Sequence, residues 1–200
     1  MAGRKSLRQV AAVSVGIYSR QYDFDPVAQV AGVSPVTMQS WLARHDIPLE
    51  AETLHPGRGR VRQFRYLDVV VICLIAEFQR VGIGLESASH IANWVAGADR
   101  SLARLKRPAR VKHEPLDSYR GGRKILAFTL ELSSTAIGPT VTACDPTANI
   151  EELRASFTKR FHEDGNTPPP KSITFFNLGE VIRRTDRALE QILACEGLND

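Results

Sequence analysis

Between Asp25 and Pro35 the chain carries two helix starts and one helix stop, which reads either as a surface turn joining two helices or as a turn that aims the second helix outward. Asp25 offers a carboxylate that can accept an orphan backbone N–H, and Pro26 follows at a first-turn position where its missing N–H costs nothing. Gly32 can take a positive φ and end this helix near Ala31. Ser34 can then cap a second helix, with Pro35 in its first turn. The stretch VAGVSPVTMQSWL, Val30 to Leu42, therefore reads as helix, sharp turn, helix. The second helix is expected from Pro35 to about Arg44. Either Val36 with Trp41 or Met38 with Leu42 forms its inward face, and Thr37, Gln39, Ser40 and Arg44 are left to point outward.

The next segment, ETLHPGRGRVRQFRY from Glu52 to Tyr66, combines turn chemistry at Pro56-Gly57 and Gly59 with strand formers Val61 and Phe64. It is expected to form a short hairpin with an arginine-loaded tip. LDVVVICLIAEFQRVG is apolar nearly all round. Its length, and Glu77, Gln79 and Arg80 ahead of Gly82, favour a buried helix over a buried strand. Leu85, Ala88, Ile91, Ala92 and Val95 recur at helical spacing, which predicts a further helix from Leu85 to about Val95.

In this order, helix, Gly-Val-Ser-Pro turn, helix, arginine-rich hairpin, helix, helix, the segment resembles the winged helix-turn-helix of MerR-type transcription regulators. The residues that carry the resemblance are Ala28, Ala31 to Pro35, Thr37-Met38, Arg65-Tyr66, Asp68-Val69 and Gly82 to Glu86, within Asp25 to Val95. The second helix departs from the pattern. Where such regulators usually carry Arg-Tyr-Tyr or Arg-Tyr-Trp, this chain has Gln39-Ser40-Trp41, so the usual arginine and the first aromatic are lost and Trp41 keeps the core-facing one. The resemblance implies double-stranded DNA as partner and a homodimer as the binding unit.

Charge is distributed to match. From Met1 to Arg110 there are 15 Lys/Arg against 9 Asp/Glu, and from Val111 onward 11 against 13, so the basic character lies in the first half. That asymmetry is expected when one part of a chain meets an anionic polymer. On the second helix, Gln39 can pair bidentately with adenine and Arg44 with guanine or phosphate; Ser34, Thr37 and Ser40 can bond either, and Pro35 and Val36 lie on the same approach. Arg58, Arg60, Arg62 and Arg65 have no acidic residue among them and suit sequence-blind phosphate or minor-groove contacts. Tyr66 either offers its hydroxyl to a phosphate or is buried under the hairpin, and His45 and His55 stand near enough in sequence to touch backbone.

Beyond Trp94 the resemblance ends. MerR-type proteins continue into a long dimerising helix, whereas here Gly97 is expected to break the helix ahead of a short basic stretch. Pro108, Pro115 and Gly121-Gly122 read as a linker. The second domain is expected as strands Lys124–Leu132 and Thr140–Cys144, a helix Asn149–Phe161, a strand Ser172–Phe176 and a last helix. The fold class is thus a mainly α winged helix-turn-helix domain plus a small α+β domain of order β-β-α-β-α. The expected division is a basic arm over 1–22, the DNA-binding domain over 23–107, the linker over 108–122 and a dimerisation or sensor domain over 123–200. In the last helix Asn177 and Glu180 form a capping box, and Leu178, Val181, Thr185, Ala188, Ile192 and Cys195, widened by Ile182 and Leu189, form an apolar stripe. That stripe packs on the domain's own sheet or on a second copy.

Catalytic signatures are lacking in the sequence: no glycine-rich phosphate loop, paired-carboxylate cleft or ligand-spaced histidines occur, so no enzyme activity, cofactor or metal is expected. Cys73, Cys144 and Cys195 show no disulfide or zinc spacing; Cys73 reads as inert core, and a reducing cytoplasm fits. Arg4, Lys5 and Arg8 precede a weakly apolar run, but Ser14 and Gly16 break it and no small-residue cleavage site follows, so it does not read as a signal peptide. Three functional classes follow: a sequence-specific regulator, with an effector pocket in the second domain left open; an architectural DNA factor of the recombination or segregation type; and a protein-interaction module.

Overall fold

The first ordered pairing ties together residues far apart in the sequence: Gln21–Tyr22 (β1) runs antiparallel to Phe64–Arg65 (β2), with Gln21 opposite Arg65 and Tyr22 opposite Phe64. The computed structural model describes residues 16–44, 47, 49, 61–104, 116–122, 124–129, 140–145, 147, 149, 151–152, 155 and 172–196. These fall in two compact units, one of residues up to Val81 together with those from Arg183 onward, the other from Gly82 to Ile182.

In the first unit, α1 (Phe24–Ala31) and α2 (Pro35–Ala43) precede β2, and α3 (Tyr66–Arg80) follows it directly. α1 begins earlier than the sequence suggests: Asp23 is the N-cap residue, and Asp25 sits in the first turn, where its charge meets the positive end of the helix. α3 is the scaffold. Every residue from Val69 to Ala76 is buried, as is Phe78, so the helix is surrounded on all sides, and α1 packs against it. Its buried Asp68 carboxylate is satisfied locally, accepting the backbone N–H of Arg65 at 3.2 Å. The stretch expected to be a basic arm is built into this unit from residue 16 onward: Ile17 is fully buried, and Tyr22 donates its hydroxyl to the Ile17 carbonyl at 2.8 Å.

In the second unit, α4 (Leu85–Arg104) runs past Gly97, where a break was expected. A helix-interior glycine costs only about 1 kcal/mol relative to alanine, and Ala96 with Ala98 around it are strong helix formers. Ala88, Ile91, Ala92 and Val95 form its buried face, while Leu85 is only partly buried. The expected linker contains a helix, α5 (Leu116–Arg120), because Leu116 and Tyr119 fall on one side at i,i+3 and both are buried. β3 (Ile125–Thr129), β4 (Thr140–Cys144) and β5 (Thr174–Phe176) make an antiparallel sheet in the order β4-β3-β5. Leu126, Ala127 and Phe128 are all buried, so the central strand is covered on both faces. Most of the expected Asn149–Phe161 helix lies outside the described residues.

The last helix, α6 (Leu178–Glu196), spans the boundary between the units. Asn177 caps it, its side-chain oxygen accepting the Glu180 N–H at 3.2 Å. Leu178, Val181, Ile182, Thr185 and Leu189 are buried, whereas Cys195 at the end of the expected stripe is exposed. From Arg183 onward the helix belongs to the first unit and not to the unit that holds the three-stranded sheet. Among the described residues no helix is long and apolar enough to cross a membrane.

Candidate nucleic-acid interface

The turn between α1 and α2 is fixed by backbone geometry. Gly32 adopts φ 63° and ψ 38°, its N–H bonds to the Gln29 carbonyl at 3.0 Å, and the Val33 N–H bonds to the Ala28 carbonyl at 3.1 Å. This pair of bonds is the Schellman closure that a left-handed residue makes available. Ser34 then caps α2: its hydroxyl oxygen accepts the Thr37 N–H at 3.0 Å and lies 2.7 Å from the Thr37 hydroxyl, with Pro35 in the first turn.

A second device holds the turn from outside. Arg80, at the end of α3, donates to the Ala31 carbonyl at 2.7 Å and to the Gly32 carbonyl at 3.2 Å. Its other terminal nitrogen contacts Glu77 at 2.6 Å, and Glu77 receives Arg184 of α6 at 2.7 Å. Partial burial raises the Glu77 carboxyl, but hydrogen bonds from Arg184 and Arg80 outweigh it and the group lies below the usual glutamate range. α6 makes two further contacts of this kind. The Tyr66 hydroxyl donates to Asp186 at 2.6 Å, and Thr185 hydrogen-bonds the buried thiol of Cys73, which burial pushes up to about 11. The sequence left these partners unread, since each bond joins residues separated by far more than a helical turn. The only local signal was the Glu77 and Arg80 pair at i,i+3.

α2 presents the face expected of it. Met38, Trp41 and Leu42 are buried, which selects the Met38 and Leu42 inward face and adds Trp41 to it. Ser34, Pro35, Val36, Thr37, Gln39 and Arg44 are exposed, and Ser40 is partly buried. Arg65 is exposed and Arg62 partly buried. Of the two placements expected for Tyr66, the structure shows burial: the ring stacks edge-on against Tyr18 with ring centroids 4.7 Å apart, and its hydroxyl is engaged by Asp186. That bond ties the start of α3 to α6 within the first unit. His45, Arg58, Arg60 and the expected hairpin tip, with His55, lie outside the described residues. Among those described, the strand partner of Phe64–Arg65 is Gln21–Tyr22.

Residues 22–93 match the model of the MerR HTH family regulatory protein. These residues are a MerR-type helix-turn-helix domain. No curated protein matches the chain. In this domain α2 is the second helix of the helix-turn-helix. Arg80 and Glu77 belong to the matched segment, whereas Arg184 and Asp186, which complete the bracing, lie outside it.

Proposed function

We propose that the chain is a sequence-specific DNA-binding regulator of transcription that acts as a homodimer in the cytoplasm. The observation that carries this reading is α2 itself: a helix capped immediately after a left-handed glycine turn, buried through Met38, Trp41 and Leu42, and exposing Val36, Thr37, Gln39 and Arg44. Short donors and acceptors on the outer side of a helix that fits the major groove are what base readout requires. Ser34, Pro35 and Ser40 border that side, and His45 with Arg58, Arg60, Arg62 and Arg65 are assigned to phosphate or minor-groove contacts. A dimer doubles this footprint and places two α2 helices on half-sites about one helical turn apart. The C-terminal region over 123–200 supplies dimerisation or signal input.

Selection of bound fragments from random DNA tests the proposal. A single recurring palindrome is the expected result. Clustered direct repeats would instead support an architectural factor that shapes DNA with the same domain. No enrichment, even at low salt, would leave only a protein-interaction module.

A further inference from the structure

α2 does not separate apolar from polar residues cleanly, and the exception is Val36. At about 100° per residue, Met38, Trp41 and Leu42 fall on one side of the helix, and all three are buried. Val36 falls on the opposite side in line with Ala43, and both are exposed, Val36 at 76%. Gln39, one turn along from Val36, is exposed beside them. A β-branched residue gains nothing from helix propensity and, at this exposure, little from packing within the chain. On a DNA major-groove edge the one apolar feature is the C5 methyl of thymine, while adenine offers the donor and acceptor pair that a glutamine amide matches.

We infer that Val36 is a specificity residue that packs on a thymine methyl, with Gln39 pairing to an adenine one helical turn further along α2. The inference rests on the reading of α2 as the recognition helix. The bound sequence then carries a thymine beneath the N-terminal turn of that helix and a nearby adenine one turn further along it, and recognition of the thymine depends on its methyl and not on its O4 acceptor. Thr37 and Arg44 flank the pair and supply polar or phosphate contacts.

The test uses the full-length protein and the motif recovered from random DNA. Each thymine of that motif is replaced singly by uracil, which removes the methyl alone. At one position of each half-site, uracil is expected to weaken binding about four-fold, the weight of one methyl group removed from water. Val36→Ser is expected to bind thymine and uracil equally at that position while retaining preference at the others, and its thermal midpoint is expected to match wild type because the side chain lies on the surface. Equal binding of every uracil variant by the wild-type protein overturns the inference, as does a uracil penalty that persists undiminished in Val36→Ser. Both results leave the regulator reading standing. Failure to recover any motif overturns that reading and the inference together.

Discussion

The Arg80 guanidinium reaches back across 49 residues to donate to the Ala31 carbonyl at 2.7 Å, closing the turn that aims α2. It also sits over Gly32, so close that a Cβ on that residue would lie 2.5 Å from the Arg80 Nη2. Glycine is therefore favoured at position 32 by its positive φ, and a side chain there would also displace the flexible end of Arg80.

From this pair follows a coupling. Gly32→Ala is expected to cost about 1–2 kcal/mol for the left-handed backbone, and more because Arg80 must swing away and give up its carbonyls. Arg80→Ala alone is expected to cost about 1 kcal/mol, since the side chain is half exposed and water replaces part of what it loses. The double variant is expected to be less destabilised than the sum, by about 0.5–1 kcal/mol in urea midpoints. Strict additivity would mean that the guanidinium and the turn are independent.

Glu77 confers an acid dependence. Its folded-state pKa is depressed, so its contribution to stability is fully present above the ordinary glutamate range and is lost as pH falls through the lowered value. Glu77→Gln is expected to be less stable than wild type at neutral pH and to lose less stability on acidification. Thermal midpoints from pH 7 down to pH 3 check this, and parallel curves for the two proteins would contradict it.

The C-terminal part of α6 is predicted to be indispensable to the first unit. Tyr66→Phe is expected to cost about 1 kcal/mol through the lost bond to Asp186, and Leu189→Ala about 2–4 kcal/mol because Leu189 is fully buried. A chain truncated after Ile182 is expected to lose the cooperative unfolding transition of the helix-turn-helix unit, followed by near-ultraviolet circular dichroism. Retention of wild-type unfolding would show that α6 is an ornament there.

Thiol chemistry offers an independent check on burial. Cys73, raised to about 11 by burial against the pull of the Thr185 hydrogen bond, is ionised to about one part in a thousand at pH 8. Cys144 is also buried and raised by desolvation, whereas Cys195 is exposed. A thiol reagent is expected to label Cys195 rapidly in the folded protein and all three cysteines in denaturant. Fast labelling of Cys73 in the native state would contradict its place in the core.

For DNA, Gln39→Ala is expected to relax preference at one base position at a cost of about 1–3 kcal/mol. Arg60→Ala is expected to weaken binding to all sequences about equally and to flatten the salt dependence. Binding titrations on matched and mismatched duplexes at several salt concentrations separate the two. Equal effects from both variants would contradict the division between base reading and backbone contact.

The local elements were legible in the sequence because their causes are local. Gly32, Ser34 and Pro35 act within one turn of where they stand, and the apolar run around Val70 to Ile75 announces a buried helix by composition alone. The same rules placed the inward aromatic at Trp41 but were not applied far enough to choose between Val36 and Met38, although only the i,i+4 pair Met38 and Leu42 shares one side of a helix. Packing chose Met38, because a helix presents one side to its support and Val36 falls on the other.

What the tertiary structure alone decided is non-local. Whether β2 pairs with a neighbour or with Gln21–Tyr22, whether Tyr66 shows its hydroxyl or turns it to Asp186, and which unit receives the end of α6 all depend on partners more than 40 residues away. Such pairings are selected by the burial and hydrogen bonding gained when distant segments meet, and no periodicity along the chain encodes the meeting. The sequence determined a helix-turn-helix and the polar side of its second helix; the folded chain determined that Arg80, Glu77 and Arg184 would hold it in place.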